Sequence, residues 1–364
     1  MPTTTANPGS ARLKRLRHSL QEAGAGALLE THLPDLYYLC GFSGDSGALL
    51  VDSTSATLFT DGRFTIQAKE ETRGVRVHIH KGPLLEAVGK HLRGRKRQTI
   101  AVAPSHLTLN GWKALRKAAG GNLKWVAIDG LVENLRAVKD AAEIDRLRAA
   151  ALLGSQVMEE AIRLIRPGVT ELDVAAEIGY RMRQKGASGE SFEAIVAAGA
   201  RSALPHARPT ARQIGKNELV VLDLGAILRR YCSDLTRTVF VGKAPTRVRQ
   251  WYQAVLEAQS AARDALKSGV TCGSVDAAAR NVLQRKGFGR YFVHSTGHGI
   301  GLEIHEDPRI ARDQKTRFAA GNVVTLEPGI YVEGVGGIRI EDDALVTARG
   351  CEILTSTPRE FLEL

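Results

Sequence analysis

The sequence lacks paired cysteines, long apolar runs and glycine-rich nucleotide loops. Its four cysteines are widely scattered and form no CxxC pair, which indicates reduced, buried thiols in a cytoplasmic protein. The apolar runs are short and interrupted, so no segment is expected to span a bilayer. No apolar segment precedes the first helix, so no secretory signal is expected. The N-terminal half contains neither GxGxxG nor a P-loop, which leaves nucleotide binding unsupported.

The formal net charge of +11 permits binding to nucleic acid or to an acidic surface. The basic residues are nevertheless dispersed along predicted helices. The one dense run, HLRGRKR at 91–97, lies between a short helix and the strand TIAVAP. Such a run is a weak signal and is typical of a solvated loop. We therefore expect neither a nucleic-acid partner nor a membrane partner.

Length and composition predict a globular protein of two domains. A chain of 364 residues is too long for one typical domain. A hydrophobic content of 43% with 24% charged residues is ordinary for a soluble protein with a substantial core. We predict a disordered tail at 1–10, an α/β domain at 11–137 and a second domain at 138–364.

Strand-like runs that alternate with helices predict the α/β layer of the first domain. Helices are expected near 10–23, 64–72, 83–93 and 106–119. The strand-like runs are AGALLE, LYYLCGF, GALLVD, ATLFTD, VRVHIH, TIAVAP and LKWVAID. A strongly amphipathic helix from Asp140 to Ile165 marks the change to the second domain.

The second domain contains five side chains that are expensive to bury without a neutralising partner. Each lies in an apolar or glycine-bounded, strand-like segment, and the five are Asp223, Asp234, His298, Glu327 and Glu341. Hard oxygen ligands with a single histidine suit Mn²⁺, Co²⁺, Zn²⁺ or Fe²⁺. Four carboxylates balance two such ions better than one, which indicates a two-metal hydrolytic site.

An internal repeat predicts how these five potential ligands are arranged. Residues 166–186 align without gaps to 267–287 and share GVT and a closing KG; further on, LPHARP aligns with EIHEDP and VVLDLG with VTLEPG. Each copy is predicted to contain a helix, a loop with a histidine, and two strands that each carry a carboxylate. About a pseudo-twofold axis, the aspartates of the first copy would face the glutamates of the second. His298 has no counterpart and would make the two metal positions unequal.

With these motifs the chain resembles the pita-bread metallopeptidase family, in the branch of Xaa-Pro aminopeptidases and prolidases with a creatinase-type N-terminal domain. The resemblance covers essentially the whole chain after its first residues. The matching stretches are LPHARP, VVLDLGA, YCSDLTRT, STGHGIGLEIHE, VVTLEPGIYV, GIRIEDD, YYLCGFSGDSGALLV and LFTDGRF. It implies an α/β (α+β) fold, in which a creatinase-type α/β domain precedes a pseudo-twofold pita-bread catalytic domain.

Carried over residue by residue, the resemblance implies that Asp234 and Glu341 bridge two divalent ions. Asp223 then belongs to one ion, and His298 and Glu327 complete the other. Two cations about 3–4 Å apart deprotonate a shared water near neutral pH, and the resulting hydroxide attacks a polarised carbonyl. Glu327 is also expected to carry the water's proton to the leaving nitrogen. Manganese is the first expectation for the metal, with cobalt, zinc or iron as alternatives.

Four further side chains are expected around the site. His206 and His305 occupy equivalent places in the two copies, and they are not ligands in the resembling proteins. They are predicted to hydrogen-bond the developing oxyanion or the substrate carbonyl. The resemblance places His294 in the substrate pocket, near the proline. Arg339 shares a predicted strand face with Glu341; it either binds a substrate carboxylate or carbonyl, or pairs with an acidic neighbour.

The implied activity is that of a metal-dependent Xaa-Pro dipeptidase or aminopeptidase acting on proline-containing dipeptides or peptides. Three alternatives remain: a catalytically inactive pita-bread binding module, a metal-free creatinase-like hydrolase, and a methionine aminopeptidase. The second loses acidic ligands that are intact here, and the third generally lacks this N-terminal domain. The resemblance also implies a homodimer, in which a loop of one chain at about 32–46 closes over the neighbour's site.

Overall fold

The computed structural model describes residues 8–95 and 98–364, and the chain divides into two compact units between Arg136 and Ala137. Most of the predicted tail, residues 1–7, lies outside the described residues, as do the last two residues of the basic run. The first helix begins at Pro8, earlier than predicted. No helix in the described part of the chain is long and apolar enough to cross a membrane. All four cysteines are free thiols, and three of them are buried.

The first unit is a mixed β-sheet with helices. Its strands are β1 (Ala27–Glu30), β2 (Ala48–Asp52), β3 (Ala56–Asp61), β4 (Arg76–His80), β5 (Thr99–Val102) and β6 (Lys124–Ala127). The helices of this part of the chain are α1 (Pro8–Glu22), α2 (Leu33–Cys40), α3 (Thr65–Glu71), α4 (Leu84–Leu92), α5 (Leu109–Ala119) and α6 (Glu133–Ala137). The sheet order is β4-β3-β2-β1-β5-β6, in which β2 is antiparallel to both neighbours and the other pairs are parallel. The central strand β1 is therefore buried along its whole length.

The prediction of a strand at LYYLCGF was wrong, because these residues form most of helix α2. Pro34 lies in the first turn of the helix, and Gly41 ends it at φ 84°, a left-handed conformation that glycine adopts without strain. An apolar run this short does not distinguish a strand from a buried helix. The same helix occupies residues 33–40 of the segment that the resemblance assigned to a loop.

The second unit combines four helices with two larger and two smaller sheets. The helices are α7 (Ala141–Ile162), α8 (Glu171–Gln184), α9 (Thr246–Ala265) and α10 (Cys272–Arg285). The strands of its first half are β7 (Gly189–Glu190), β8 (Ile195–Ala198), β9 (Glu218–Leu224), β10 (Ala226–Leu228), β11 (Tyr231–Cys232) and β12 (Leu235–Val241). The later strands are β13 (Gly297–Gly299), β14 (Glu306–Ile310), β15 (Val323–Leu326), β16 (Gly329–Val332), β17 (Gly336–Arg339), β18 (Asp342–Val346), β19 (Cys351–Ile353) and β20 (Leu362–Glu363).

The predicted repeat is visible in the helices and sheets of this unit. Helices α8 and α10 each have 14 residues, and their N-caps are the aligned Thr170 and Thr271, whose hydroxyls accept from main-chain N–H groups. Helix α8 contacts β8 of the sheet β20-β12-β9-β8, and α10 contacts β14 of the sheet β14-β13-β15-β18-β19. The unit contains two apolar cores, and the one that involves α9 and α10 also includes Leu219 and Phe240 of the first half. The two copies thus place equivalent strand ends in the same unit.

Candidate active site

Four carboxylates lie where strands of the two larger sheets begin or end. Asp223 is the penultimate residue of β9, and Asp234 immediately precedes β12. Glu327 directly follows β15, and Glu341 directly precedes β18. Because β9 pairs antiparallel with β12 and β15 with β18, each pair of acids lies at one edge of its sheet. The main-chain N–H of Glu341 donates to the carbonyl of Thr236 at 3.2 Å, which joins the two sheets at this edge.

His298 completes the closest group of potential ligands. Its Nδ1 donates to the Gly299 carbonyl at 3.0 Å, so Nε2 carries the lone pair. That atom lies 3.6 Å from Asp234 Oδ2 and 3.6 Å from Glu327 Oε1. Ligand atoms of Asp234, His298 and Glu341 all lie within 4.8 Å of one another. Two atoms that share one transition-metal ion at about 2.0–2.2 Å lie at most about 4.4 Å apart, so this group is close to the spacing of a metal site.

The buried acids have oxygens without hydrogen-bond donors. Among the described residues, Asp223 Oδ1 and Asp234 Oδ1 accept no hydrogen bond, although both atoms are buried. Burial, followed by the charge of Glu341, raises the pKa of Asp234 well above its usual range. Burial likewise raises the pKa of Glu327 to about 7. Divalent cations would neutralise this set and supply the missing partners, so the residues present fit such ions.

Arg339 makes hydrogen bonds to groups of the site itself. Its Nη2 donates to Asp223 Oδ2 at 2.5 Å, and its Nε donates to the Thr236 hydroxyl at 3.1 Å. Its Nη1 donates to the Tyr331 hydroxyl at 2.8 Å and to the Pro205 carbonyl at 3.1 Å. The residue is only 4% exposed. Of the two roles expected for Arg339, the structure therefore shows the pairing with an acidic neighbour, which ties Asp223 to the group formed by the other acids.

Tyr331 was missed by the sequence analysis. Its hydroxyl accepts from Arg339 and lies 2.9 Å from Nε2 of His294, whose Nδ1 donates to the Ser295 carbonyl at 2.8 Å. Burial raises the pKa of Tyr331 to about 12, so the hydroxyl keeps its proton and donates it to His294. The available signal was its place in VVTLEPGIYV, a few residues after Glu327.

The three remaining histidines lie around the acids without joining the closest group. Nδ1 of His294 lies 3.9 Å from Glu327 Oε2, and burial, followed by the charge of Arg339, lowers the pKa of His294 to about 3. The ring centroid of His305 lies 4.4 Å from that of His298. Burial, followed by the nearby His206, lowers the pKa of His305. His206 and His305 are both exposed.

Neighbouring strands fix the positions of Asp234 and Glu341. The Thr236 hydroxyl donates to Glu341 Oε2 at 2.5 Å, and Arg237 donates to the main-chain carbonyl of Glu341 at 2.6 Å. The main-chain N–H of Asp234 donates to Oδ2 of Asp343 at 3.1 Å. Asp343 is a buried acid that the sequence analysis missed. Its carboxylate holds the backbone of the ligand candidate Asp234 in place.

Comparison with known proteins places this site in a family. A family model described as metallopeptidase family M24 matches residues 145–348, and one described as the creatinase/prolidase N-terminal domain matches residues 12–138. The chain belongs to metallopeptidase family M24. As an M24 metallopeptidase it is a hydrolase, and the family implies divalent metal ions. Asp234, His298 and Glu341 form a group that could hold such an ion.

This M24 chain is similar to peptidases along nearly its whole length. It is 36% identical to a Xaa-Pro dipeptidase of Pyrococcus horikoshii over 353 residues, which cover 96% of this chain and 98% of the relative. The solved structure of a Xaa-Pro dipeptidase from Bacillus anthracis matches with a TM-score of 0.94 and 38% identity, covering 98% of this chain and 100% of the other. An X-Pro aminopeptidase from Thermotoga maritima matches with a TM-score of 0.88 and 37% identity, covering 95% and 100%. These matches confirm the predicted fold class, a creatinase-type domain followed by a pita-bread domain.

Proposed function

We propose that this M24 hydrolase is a dinuclear-metal exopeptidase that cleaves the bond between an N-terminal residue and a following proline. The observation that carries the proposal is the gathering of Asp234, His298 and Glu341 within 4.8 Å, with Glu327 beside them. Relatives named Xaa-Pro dipeptidase and X-Pro aminopeptidase support the choice of bond. The alternatives are not favoured, because all five potential ligands are present and the relatives described above are Xaa-Pro peptidases by name.

The five ligand candidates would hold two ions, Mn²⁺ first among those that suit the donors. In this proposal Asp234 and Glu341 would serve both ions, Asp223 would serve one of them, and His298 and Glu327 would serve the other. When bound, two such cations polarise the scissile carbonyl and acidify the attacking water. Glu327 faces both His298 and His294, a position from which it can pass a proton from the water to the leaving nitrogen.

The surrounding side chains determine how the peptide is held. His206 and His305 donate hydrogen bonds to the carbonyl oxygen, where negative charge develops in the transition state. Proline gives a tertiary amide without an N–H, so its pocket needs to receive a ring and requires no acceptor for a missing hydrogen. His294 packs edge-on against Phe292, and its Nε2 is occupied by Tyr331. This arrangement offers an apolar ring surface to the proline.

A panel of peptides assayed with several metals tests the proposal. We expect Ala-Pro and Met-Pro to be cleaved well above Ala-Ala, and N-acetylated peptides to be inert because the acidic site binds a free amine. Equal rates on Ala-Ala and Ala-Pro would overturn the proline specificity and leave the metallopeptidase assignment intact. Comparing Ala-Pro with a tetrapeptide that begins Ala-Pro separates a dipeptidase from an aminopeptidase. We propose that dipeptides are accepted and that the enzyme acts as a homodimer, which sedimentation analysis tests.

A further inference from the structure

A buried acid on α10 holds the segment that carries His294. Asp276 is 1% exposed, and its Oδ1 accepts from the hydroxyl of Thr296 at 2.8 Å and from its N–H at 3.3 Å. Its Oδ2 accepts from Nε of Arg280 at 2.6 Å. The same guanidinium donates to the carbonyls of Phe292 and His294. The pair formed by Asp276 and Arg280, here called the Asp276 pair, thus fixes the backbone on both sides of His294.

A buried acid on α8 holds the equivalent segment of the first copy. Glu171 is 0% exposed and accepts from the N–H of Ala198 at 2.9 Å, and from the N–H and hydroxyl of Thr210 at 3.0 and 2.8 Å. It also accepts from Nε of Arg201 at 3.1 Å, and Arg201 donates to the carbonyl of Arg208. The pair formed by Glu171 and Arg201, here called the Glu171 pair, therefore fixes the segment between Ala198 and Thr210. That segment contains His206.

The two pairs share a plan although their residues are not aligned. In each, a carboxylate buried on a repeat helix pairs with an arginine, and the remaining hydrogen bonds go mostly to main-chain groups. A buried ion pair adds little to stability compared with an apolar contact of the same volume. Bonds to the main chain instead fix where the backbone runs. In both copies the backbone so fixed bears a histidine that we assign to substrate.

The segment that carries His294 also contacts one of the acids of the site. The carbonyl of Thr296 accepts from the N–H of Glu327 at 2.8 Å, and His298 lies two residues further along the chain. A shift of this segment would therefore move His294 relative to Glu327, the residue proposed to transfer the proton.

The geometry points to the Asp276 pair and the Glu171 pair as positioning residues, which set His294 and His206 against the substrate. This inference rests on the proposed function, in which His294 binds the proline and His206 stabilises the transition state. It assigns each pair a different kinetic effect. Loss of the Asp276 pair weakens substrate binding, and loss of the Glu171 pair slows the chemical step.

The test uses Arg280→Met and Arg201→Met in the full-length, metal-loaded protein, with Ala-Pro as substrate. We expect Arg280→Met to raise KM about tenfold or more with a smaller change in kcat. Arg201→Met is expected to lower kcat by about 10- to 100-fold with KM near the wild-type value. Both variants are expected to keep the wild-type metal content. Arg181→Met is the matched control, because Arg181 pairs only with Glu160 and Glu177 in the contacts described for it; it should behave as wild type.

A double-mutant cycle separates positioning from general destabilisation. If Arg280 acts through His294, Arg280→Met has little further effect on KM in a His294→Ala protein. An equal effect in both backgrounds, or KM and kcat within twofold of wild type, overturns the inference. Asp276→Asn keeps the side-chain shape and replaces Arg280→Met in the cycle if that variant does not fold. If the wild type prefers Ala-Ala to Ala-Pro, the proposed function is wrong. The Arg280→Met and His294→Ala cycle is then measured on the peptide that is cleaved, and it tests the positioning inference independently.

Discussion

The guanidinium of Arg339 donates to the carboxylate of Asp223 at 2.5 Å, and both side chains are buried. The other oxygen of Asp223 has no hydrogen-bond donor among the residues described. One carboxylate oxygen of Asp223 therefore pairs with a fixed cation of the chain, and we propose that the other oxygen binds a metal ion.

Replacing the guanidinium should destabilise the metal-free protein strongly. Arg339→Met leaves Asp223 buried without a partner, which typically costs about 3–5 kcal/mol in the free energy of unfolding. Denaturant unfolding in chelator measures the loss. Arg148→Met is the control, because its partner Glu352 is largely exposed and such pairs contribute about 0–1 kcal/mol. Equal losses of unfolding free energy in the two variants would show that the buried contact with Asp223 stabilises the protein no more than an exposed ion pair does.

The two exposed histidines should matter for turnover and not for metal binding. His206→Ala and His305→Ala each remove a proposed donor to the developing oxyanion, which is typically worth about 100- to 1,000-fold in kcat. Metal analysis of both variants is expected to match the wild type. A variant that turns over at the wild-type rate identifies that histidine as structural, and one that loses metal identifies it as a ligand. His18→Ala, an exposed histidine of α1, serves as control.

The first unit should show a pH dependence that originates at Glu30. Burial, followed by the charge of Asp35, raises the pKa of Glu30 from 4.5 to about 8. Between these values the folded state holds a proton that the unfolded state releases, so stability present at low pH is lost as the pH rises. Glu30→Gln cannot titrate and should be more stable than wild type at pH 8, with a difference that vanishes near pH 4.

Unfolding free energies at several pH values measure this difference. The amide of the Glu30→Gln variant retains an oxygen that can accept from the N–H groups of Thr31 and His32, as the carboxylate does. Glu70→Gln changes an exposed carboxylate of the same unit and should show no such trend. A difference between Glu30→Gln and wild type that does not grow with pH contradicts the assignment.

The sequence predicted the ligand candidates because strand patterns and repeats are local or periodic signals. Asp223 and Asp234 lie in one copy, and Glu327 and Glu341 at matching strand ends of the other. Alignment of the copies was therefore enough to anticipate their equivalent positions. The strand predicted at LYYLCGF failed for the opposite reason, since a short apolar run contains no period that separates a strand from a buried helix.

The hydrogen-bond partners could not be predicted in this way. Arg339 and Asp223 are separated by 116 residues, and Thr236 and Glu341 by 105. Such contacts depend on how two sheets meet, which no local pattern encodes. Asp276 lies on a helix with ordinary amphipathic spacing, so nothing in the sequence distinguishes it from a solvated acid. Its role is visible only once Thr296 is placed against it.

Metal titration of chelator-treated protein tests the dinuclear assignment most directly. Cleavage of Ala-Pro is followed together with the number of Mn²⁺ ions bound per chain, in the wild type and in Glu341→Ala. We predict no cleavage without metal, full activity at two ions per chain, and thermal stability that rises with occupancy because the ions bind the folded state. Glu341→Ala should bind fewer ions and stay inactive. Activity that survives a strong chelator in protein without transition metal would contradict the account.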